Sequence, residues 1–162
     1  MEMLERGSAA PGFSLFDQNG NNVVLSDEHG KWIVLFFAPA VREPVAVALA
    51  SAFRNIMPDL ERLDTRVFGI YDDETDKLRE LADTHTIPFQ ILSDTSKNIA
   101  IQYGAFVSHG LLGHHTEFKP HTYILTPEGK IVVKYTEIDM LHHPAQVIAD
   151  LEQLQKLRAE GK

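Results

Sequence analysis

The clearest element in the chain is an unbroken apolar run, Trp-Ile-Val-Leu-Phe-Phe at 32–37, set between Gly30-Lys31 and Ala38-Pro39. Six apolar residues with no polar alternation predict a strand buried on both faces. Ahead of it, Phe13-Ser14-Leu15-Phe16 and Val23-Val24-Leu25 flank Asn19-Gly20-Asn21-Asn22. Gly and Asn accept positive φ at little cost, so this is a hairpin signal. Behind it the period changes. Val45, Leu49, Ala52, Phe53 and Ile56 recur at three- and four-residue spacing, which predicts a helix over 44–63 that Pro58 kinks or breaks. Pro44 suits its first turn, where a missing N–H costs nothing.

The alternation continues. Val67–Tyr71 reads as a strand, 74–85 as an amphipathic helix on Leu78, Leu81 and Ala82, and Phe89–Leu92 as a strand. A short helix that Asp94 or Thr95 can cap runs to Tyr103 and stops at Gly104. Residues 122–126 and 130–136 flank Pro127-Glu128-Gly129 as a second hairpin, and 144–157 close as a helix on Val147, Leu151 and Leu154. Strands alternating with helices imply parallel pairing, to which the late hairpin adds antiparallel pairs. The expected fold is α/β and thioredoxin-like: a mixed central sheet flanked by helices, in one domain over 1–162.

Composition narrows the function classes. The 162 residues carry 15 Lys+Arg against 23 Asp+Glu, a formal charge of -8, and no cysteine. A net-acidic surface argues against nucleic acid or anionic membrane as a partner. No apolar run approaches the roughly 20 residues that span a bilayer. Met1–Ala10 lacks the apolar core of a secretory signal, so a cytoplasmic location is expected. With no thiol there is no disulfide, thiolate zinc site or thiol catalysis in this chain. No Gly-rich phosphate loop or dinucleotide fingerprint is present, and no cofactor is expected.

Several segments, in order along nearly the whole chain, carry a resemblance. They are Gly7–Phe13 with Leu25-Ser26-Asp27, Ile33–Pro39, Phe53-Arg54, Val67–Ile70, Ile91–Asp94, Ile99–Gly104 and Thr122–Ile131. Together they are similar to the peroxiredoxins of the alkyl hydroperoxide reductase/thiol-specific antioxidant group, and most to the Q-type, bacterioferritin-comigratory branch. The resemblance implies an antioxidant thiol peroxidase. In that family a cysteine in the first turn of the first long helix follows a Pro-x-x-x-Thr/Ser-x-x pattern. Its thiolate attacks a peroxide and becomes a sulfenic acid. A Thr or Ser hydroxyl and a distant Arg orient the peroxide.

Laid on this chain, Pro39 matches the pattern, but Glu43 stands at the Thr/Ser position and Ala46 at the peroxidatic cysteine. Pro120 stands at the Arg position, two before Thr122, and Ser51 at the Q-type resolving cysteine. Ala46 cannot attack peroxide, a Glu43 carboxylate would raise a neighbouring thiol's pKa, and Pro120 has no donor. Arg42 is a conceivable substitute at the wrong spacing. The expectation is a peroxiredoxin-like protein without thiol peroxidase activity, serving in binding or regulation. The alternative is a Q-type peroxidase seen with its cysteines replaced by Ala and Ser. Replacement accounts for Ala46 and Ser51 but not for Glu43 and Pro120. A thioredoxin-like reductant is implied only with Cys at 46, and monomer and homodimer both remain open. The architecture also raises a cis Lys119–Pro120 bond, against a base rate of about 5–6%.

Histidine is dense, eight in all, and His109, His114, His115 and His121 fall within 13 positions with Glu117 among them. Imidazoles with a carboxylate could hold Zn²⁺ or a similar ion, which makes a metal-binding module a third reading. The competing one is an exposed loop preceding a strand, its histidines without joint function; a pH response of that loop is a further option. His142-His143-Pro144 reads as the approach to the last helix. Asp72-Asp73-Glu74 with Asp76 reads as acidic residues favouring a helix N-terminus rather than a metal site. Trp32 reads as packing, and Ser51 has no base to make it a nucleophile.

Overall fold

The computed structural model describes residues 7–109 and 115–161, and for 107–109 and 115–117 the backbone alone. Two short strands, β1 (Ser14–Asp17) and β2 (Asn22–Val24), form the predicted hairpin, with Gly20 at φ 81 in its turn. Next come β3 (Trp32–Phe37), α1 (Pro44–Asn55), α2 (Met57–Arg62) and β4 (Thr65–Tyr71). They are followed by α3 (Thr75–His85), β5 (Gln90–Ser93) and α4 (Asn98–Gln102). The chain continues through β6 (Phe106–His109), β7 (His115–Phe118), β8 (His121–Leu125), β9 (Ile131–Tyr135) and α5 (His143–Ala159).

Seven strands form one mixed sheet in the order β2-β1-β5-β4-β3-β8-β9, with β3, β4 and β5 mutually parallel and the flanking strands antiparallel. All six residues of β3 are buried, as its uniform run predicts, because both faces are covered. Val34 and Phe36 face the helical side with α1, α3 and α5, while Ile33, Leu35 and Phe37 face a second core with α4, Tyr103 and Phe13. The helix expected over 44–63 is divided at Ile56, and Pro58 opens the second piece, where proline is tolerated.

Three expectations are corrected. Residues 106–118, expected as a loop before a strand, contain a two-stranded ribbon, β6 paired antiparallel with β7. The Lys119–Pro120 bond is trans, as is every other peptide among the described residues. Lys97, in the left-handed region at φ 63, holds the N-cap position of α4. Asp94 serves that helix from further back, accepting the N–H of Ala100 at 2.9 Å and of Ile99 at 3.3 Å.

Candidate functional site

The register of β3 against β8 sets the site. Phe37, the last residue of β3, lies across from His121, the first of β8. The chain leaving β3 therefore runs beside the residues that lead into β8. Ala38 N–H stays on the sheet by donating to the Ile70 carbonyl at 3.0 Å, and Val41 N–H donates to the Asp73 carboxylate at 2.8 Å. Asp73 thus fixes the loop into α1 from the end of the neighbouring strand. Burial raises its pKa, opposed by the Val41 hydrogen bond.

Glu43 is the N-cap of α1, extended at φ -82, ψ 135, but its side chain makes no capping hydrogen bond. Its carbonyl accepts the Ala46 N–H at 3.0 Å. Pro44 follows as the first helical residue, so Ala46 falls in the first turn, where unpaired N–H groups and the helix dipole favour an anion. The Ala46 methyl is 0% exposed and its carbonyl accepts the Tyr71 hydroxyl at 2.9 Å. Ser51 is half-buried on the same helix. Five residues at 3.6 per turn place it about 140° around the helix from Ala46. Pro120 is half-buried just before β8. By the β3–β8 register Pro39 and Pro120 flank the same end of the sheet, and α1, which begins after Glu43 and carries Ala46 in its first turn, starts from that end, while Ser51 lies elsewhere on the helix.

No thiol occupies that end, since the chain holds no cysteine. Arg42 is exposed and lines a groove of about 300 Å³ between α1 and α3, with Val41, Val47, Lys77 and Leu81. A hollow of about 470 Å³ lies at the opposite end of β4, by Thr65, Ile87 and Gln90, away from Ala46. What β8 does carry is two buried histidine–hydroxyl groupings. On the α1 face the Thr122 hydroxyl meets His143 Nε2 at 2.9 Å, and the imidazole packs edge-on against Phe53 and Tyr135. His143 is 1% exposed, and its Nδ1 has no partner within hydrogen-bond geometry among the described residues. Burial pushes its pKa down to about 4, against a smaller opposing pull from Gln146. On the other face His121 lies 3.5 Å from the Tyr123 hydroxyl, which itself donates to the Tyr103 carbonyl. His121 is also lowered to about 4, by burial and by the charges of Lys134 and Lys119.

His121 is therefore a core residue at 2% exposure rather than part of an exposed loop. His114 lies outside the described residues, and His109 and His115 are paired across the β6–β7 ladder. His143 is more than the approach to α5: it is buried as that helix's first residue. Among residues whose side chains are described, no group of three or more His, Asp or Glu is placed to hold a metal. Asp72 instead approaches Lys97 at 3.8 Å, and Asp76 sits in the first turn of α3. Sequence reasoning missed Tyr71, Asp73 and the Thr122–His143 pair. Their partners lie 21 to 32 residues away, beyond the reach of any local pattern.

A mixed sheet with this strand order, and a helix starting where β3 ends beside the head of β8, defines a thioredoxin-like protein of peroxiredoxin type. The AhpC/TSA family pattern matches residues 6–134, and the chain belongs to that family, among the peroxiredoxins of the Q/Bcp branch. It is 31% identical over 149 residues to Rv2521 of Mycobacterium tuberculosis, which carries the name putative peroxiredoxin, covering 91% of this chain and 95% of that one. Peroxiredoxin Bcp of Escherichia coli K12 is 28% identical over 144 residues, covering 88% and 92%. Among solved structures, peroxidoxin BcpB of Mycobacterium tuberculosis superposes with a TM-score of 0.82 at 28% identity, covering 94% of this chain and 98% of that one. A cysteine-to-serine mutant of Xylella fastidiosa PrxQ matches the fold with a TM-score of 0.82 at 18% identity, covering 100% and 99%.

Proposed function

We propose that this chain is a peroxiredoxin-family protein without thiol peroxidase chemistry, acting through binding or regulation. One observation carries the reading: the first-turn position of α1 that the family uses for its thiolate holds Ala46, fully buried, in a chain with no sulfhydryl. Glu43 and Pro120 reinforce it. A carboxylate at the N-cap and a proline in place of a guanidinium would oppose a thiolate even if one were supplied. The second reading, a Q-type hydroperoxide reductase represented with its cysteines replaced, draws on the intact helix start. There the Ala46 backbone is held by the Glu43 carbonyl and the Tyr71 hydroxyl. Only that reading calls for a thioredoxin-like reductant.

The test is Ala46→Cys in the full chain, followed by consumption of hydroperoxide with dithiothreitol. The expected outcome is no turnover above the unsubstituted chain, with a thiol pKa at or above the ordinary value of about 8.5. Adding Glu43→Thr and Pro120→Arg to Ala46→Cys should then restore turnover. Peroxidase activity from the single substitution would overturn the proposal in favour of the second reading.

A further inference from the structure

We propose that Asn19-Gly20, at the tip of the β1–β2 hairpin, is a site of spontaneous backbone modification, whose isoaspartyl product releases the hairpin from β5. The chain has five asparagines, and Asn19 alone precedes a glycine. Asn21 precedes another asparagine, while Asn22, Asn55 and Asn98 precede the β-branched Val23, Ile56 and Ile99. Glycine has no Cβ to hinder attack by its own nitrogen. Asn19 and Gly20 are both exposed, and the Asn19 side-chain amide makes no hydrogen bond among the described residues. By contrast Asn22 Oδ1 accepts the Ser14 hydroxyl, and Asn55 Oδ1 accepts the Arg54 guanidinium. The reaction needs only hydroxide and water. Hydroxide removes the Gly20 N–H proton, the nitrogen attacks Asn19 Cγ, and the bond from Cγ to the side-chain nitrogen breaks. Ammonia leaves, and a cyclic imide joins the two residues. Water then cleaves the imide at the Asn19 α-carbonyl, which leaves a free α-carboxylate and a chain that continues through Cγ, or at Cγ, which gives aspartate. Gly20 N–H now donates to the Asp17 carbonyl at 3.0 Å, so the attack waits on opening of the turn.

What the turn holds together gives the product its consequence. Asp17 is 1% exposed, and its Oδ1 accepts the N–H of Asn19 at 2.8 Å and of Asn21 at 2.9 Å. Its Oδ2 accepts Gln90 Nε2, from β5, at 2.8 Å. Beside it Gln18 clasps the same strand, donating to the Phe89 carbonyl at 2.9 Å and accepting the Ile91 N–H at 3.0 Å. An isoaspartyl link adds a backbone carbon between the two N–H groups that Asp17 Oδ1 accepts, so both no longer reach it. A buried carboxylate short of donors is costly. The hairpin is the part that yields, because β1 meets β5 at only two register pairs, Phe16 with Ser93 and Asp17 with Leu92.

The experiment is incubation of the full chain at pH 8.5 and at pH 6, with each asparagine followed by peptide mass spectrometry and isoaspartate separated from aspartate by chromatography. The mass gain of an amide turned acid should appear at Asn19, faster at the higher pH and with isoaspartate in excess. Asn21, Asn22, Asn55 and Asn98 should stay unmodified over the same period. Asn19→Gln, with its amide one methylene further out, should block the reaction. Amide exchange of the isoaspartyl fraction should show protection lost in β1 and β2 and kept in β3 and β4. Asn19→Asp brings the same charge on an ordinary backbone and should keep protection throughout. No gain at Asn19, or an earlier gain at another asparagine, would overturn the site. Unchanged protection in the isoaspartyl fraction, or an equal loss in Asn19→Asp, would overturn the release of the hairpin.

Discussion

The middle of β3 and the head of β8 lie on neighbouring strands of the same sheet and are built on opposite terms. Around Phe36 everything is apolar and closely fitted. Its ring stacks on Phe53 with centroids 4.9 Å apart and meets Tyr71 and Phe89 edge-on, over a glycine at 69 that leaves room for it. At the head of β8, His121 and Thr122 are buried in succession, His143 joins them from α5, and one imidazole nitrogen has no hydrogen-bond partner among the described residues. The first region secures the fold. The second is the end at which the family does its chemistry, and here it holds polar groups at a cost to stability with no thiol beside them. Family membership in this chain is therefore carried by packing positions; that Glu43, Ala46 and Pro120 stand in for a peroxidase's reactive residues belongs to the proposed function.

The largest effect that could break this contrast is a pH dependence of stability. His121 and His143 are each held near 4 when folded and titrate near 6.5 when unfolded. With the folded values lower, the unfolded chain takes up protons first as pH falls. The stability of the neutral, buried state is thus full above about pH 6.5 and is lost progressively toward pH 4. Each histidine contributes a slope of up to about 1.4 kcal/mol per pH unit. Asp73 and Asp94 have the opposite sign, since burial raises their pKa and the folded chain holds those protons more readily. Their offset belongs nearer the ordinary carboxylate range of about 4. Urea unfolding should therefore lose about 2–4 kcal/mol between pH 7 and pH 5. His143→Phe should remove roughly half of that slope. Equal stability at the two pH values would show that the head of β8 is not the strained region described.

These two regions also differ in how far the sequence disclosed them. The six-residue run of β3, the proline division between α1 and α2 and the glycine turns announce themselves through period and backbone chemistry. Pro39, Glu43, Ala46 and Pro120 were singled out by the spacing of the motif the chain resembles, and what they do there belongs to the proposed function. The burial of His121 and His143 was not, because each depends on contacts across the sheet that a polar residue type argues against. The β6–β7 ribbon was missed for a different reason. Phe106-Val107-Ser108-His109 and His115-Thr116-Glu117-Phe118 hold only three apolar residues in eight, too few to stand out as strands.

A middle-sized effect tests the packed side of the comparison. A Cβ built at Gly69 would stand 2.8 and 2.9 Å from two Phe36 ring carbons and closer still to Cζ, and that ring is confined by Phe53, Tyr71 and Phe89. Alanine ordinarily gains about 0.5–1 kcal/mol over glycine inside a strand. Here overpacking should win, leaving Gly69→Ala destabilised by about 1–3 kcal/mol. Thermal unfolding several degrees below the unsubstituted chain is the expected result. An unchanged or higher Tm would mean that the core around Phe36 yields more readily than its close contacts imply.

The smallest effect lies where the packed region meets the start of α1. Tyr71 belongs to the aromatic cluster by its ring and to the start of α1 by its hydroxyl, which donates to the Ala46 carbonyl at 2.9 Å. Burial and the nearby Asp73 carboxylate raise its pKa far above the usual phenol range, so it remains a donor at any working pH. Tyr71→Phe keeps the ring and removes only that bond. A buried hydrogen bond is worth about 1 kcal/mol net. The Ala46 carbonyl also keeps its place in the helix, so the loss should not exceed that value. For a chain of this size that corresponds to a Tm lower by about 2–4 °C. Amide exchange should localise the change to the first turn of α1, leaving β3 and β4 protected. If protection fell equally across β3 and β4, Tyr71 would be acting through its ring, and the start of α1 would not be a separately held element of the fold.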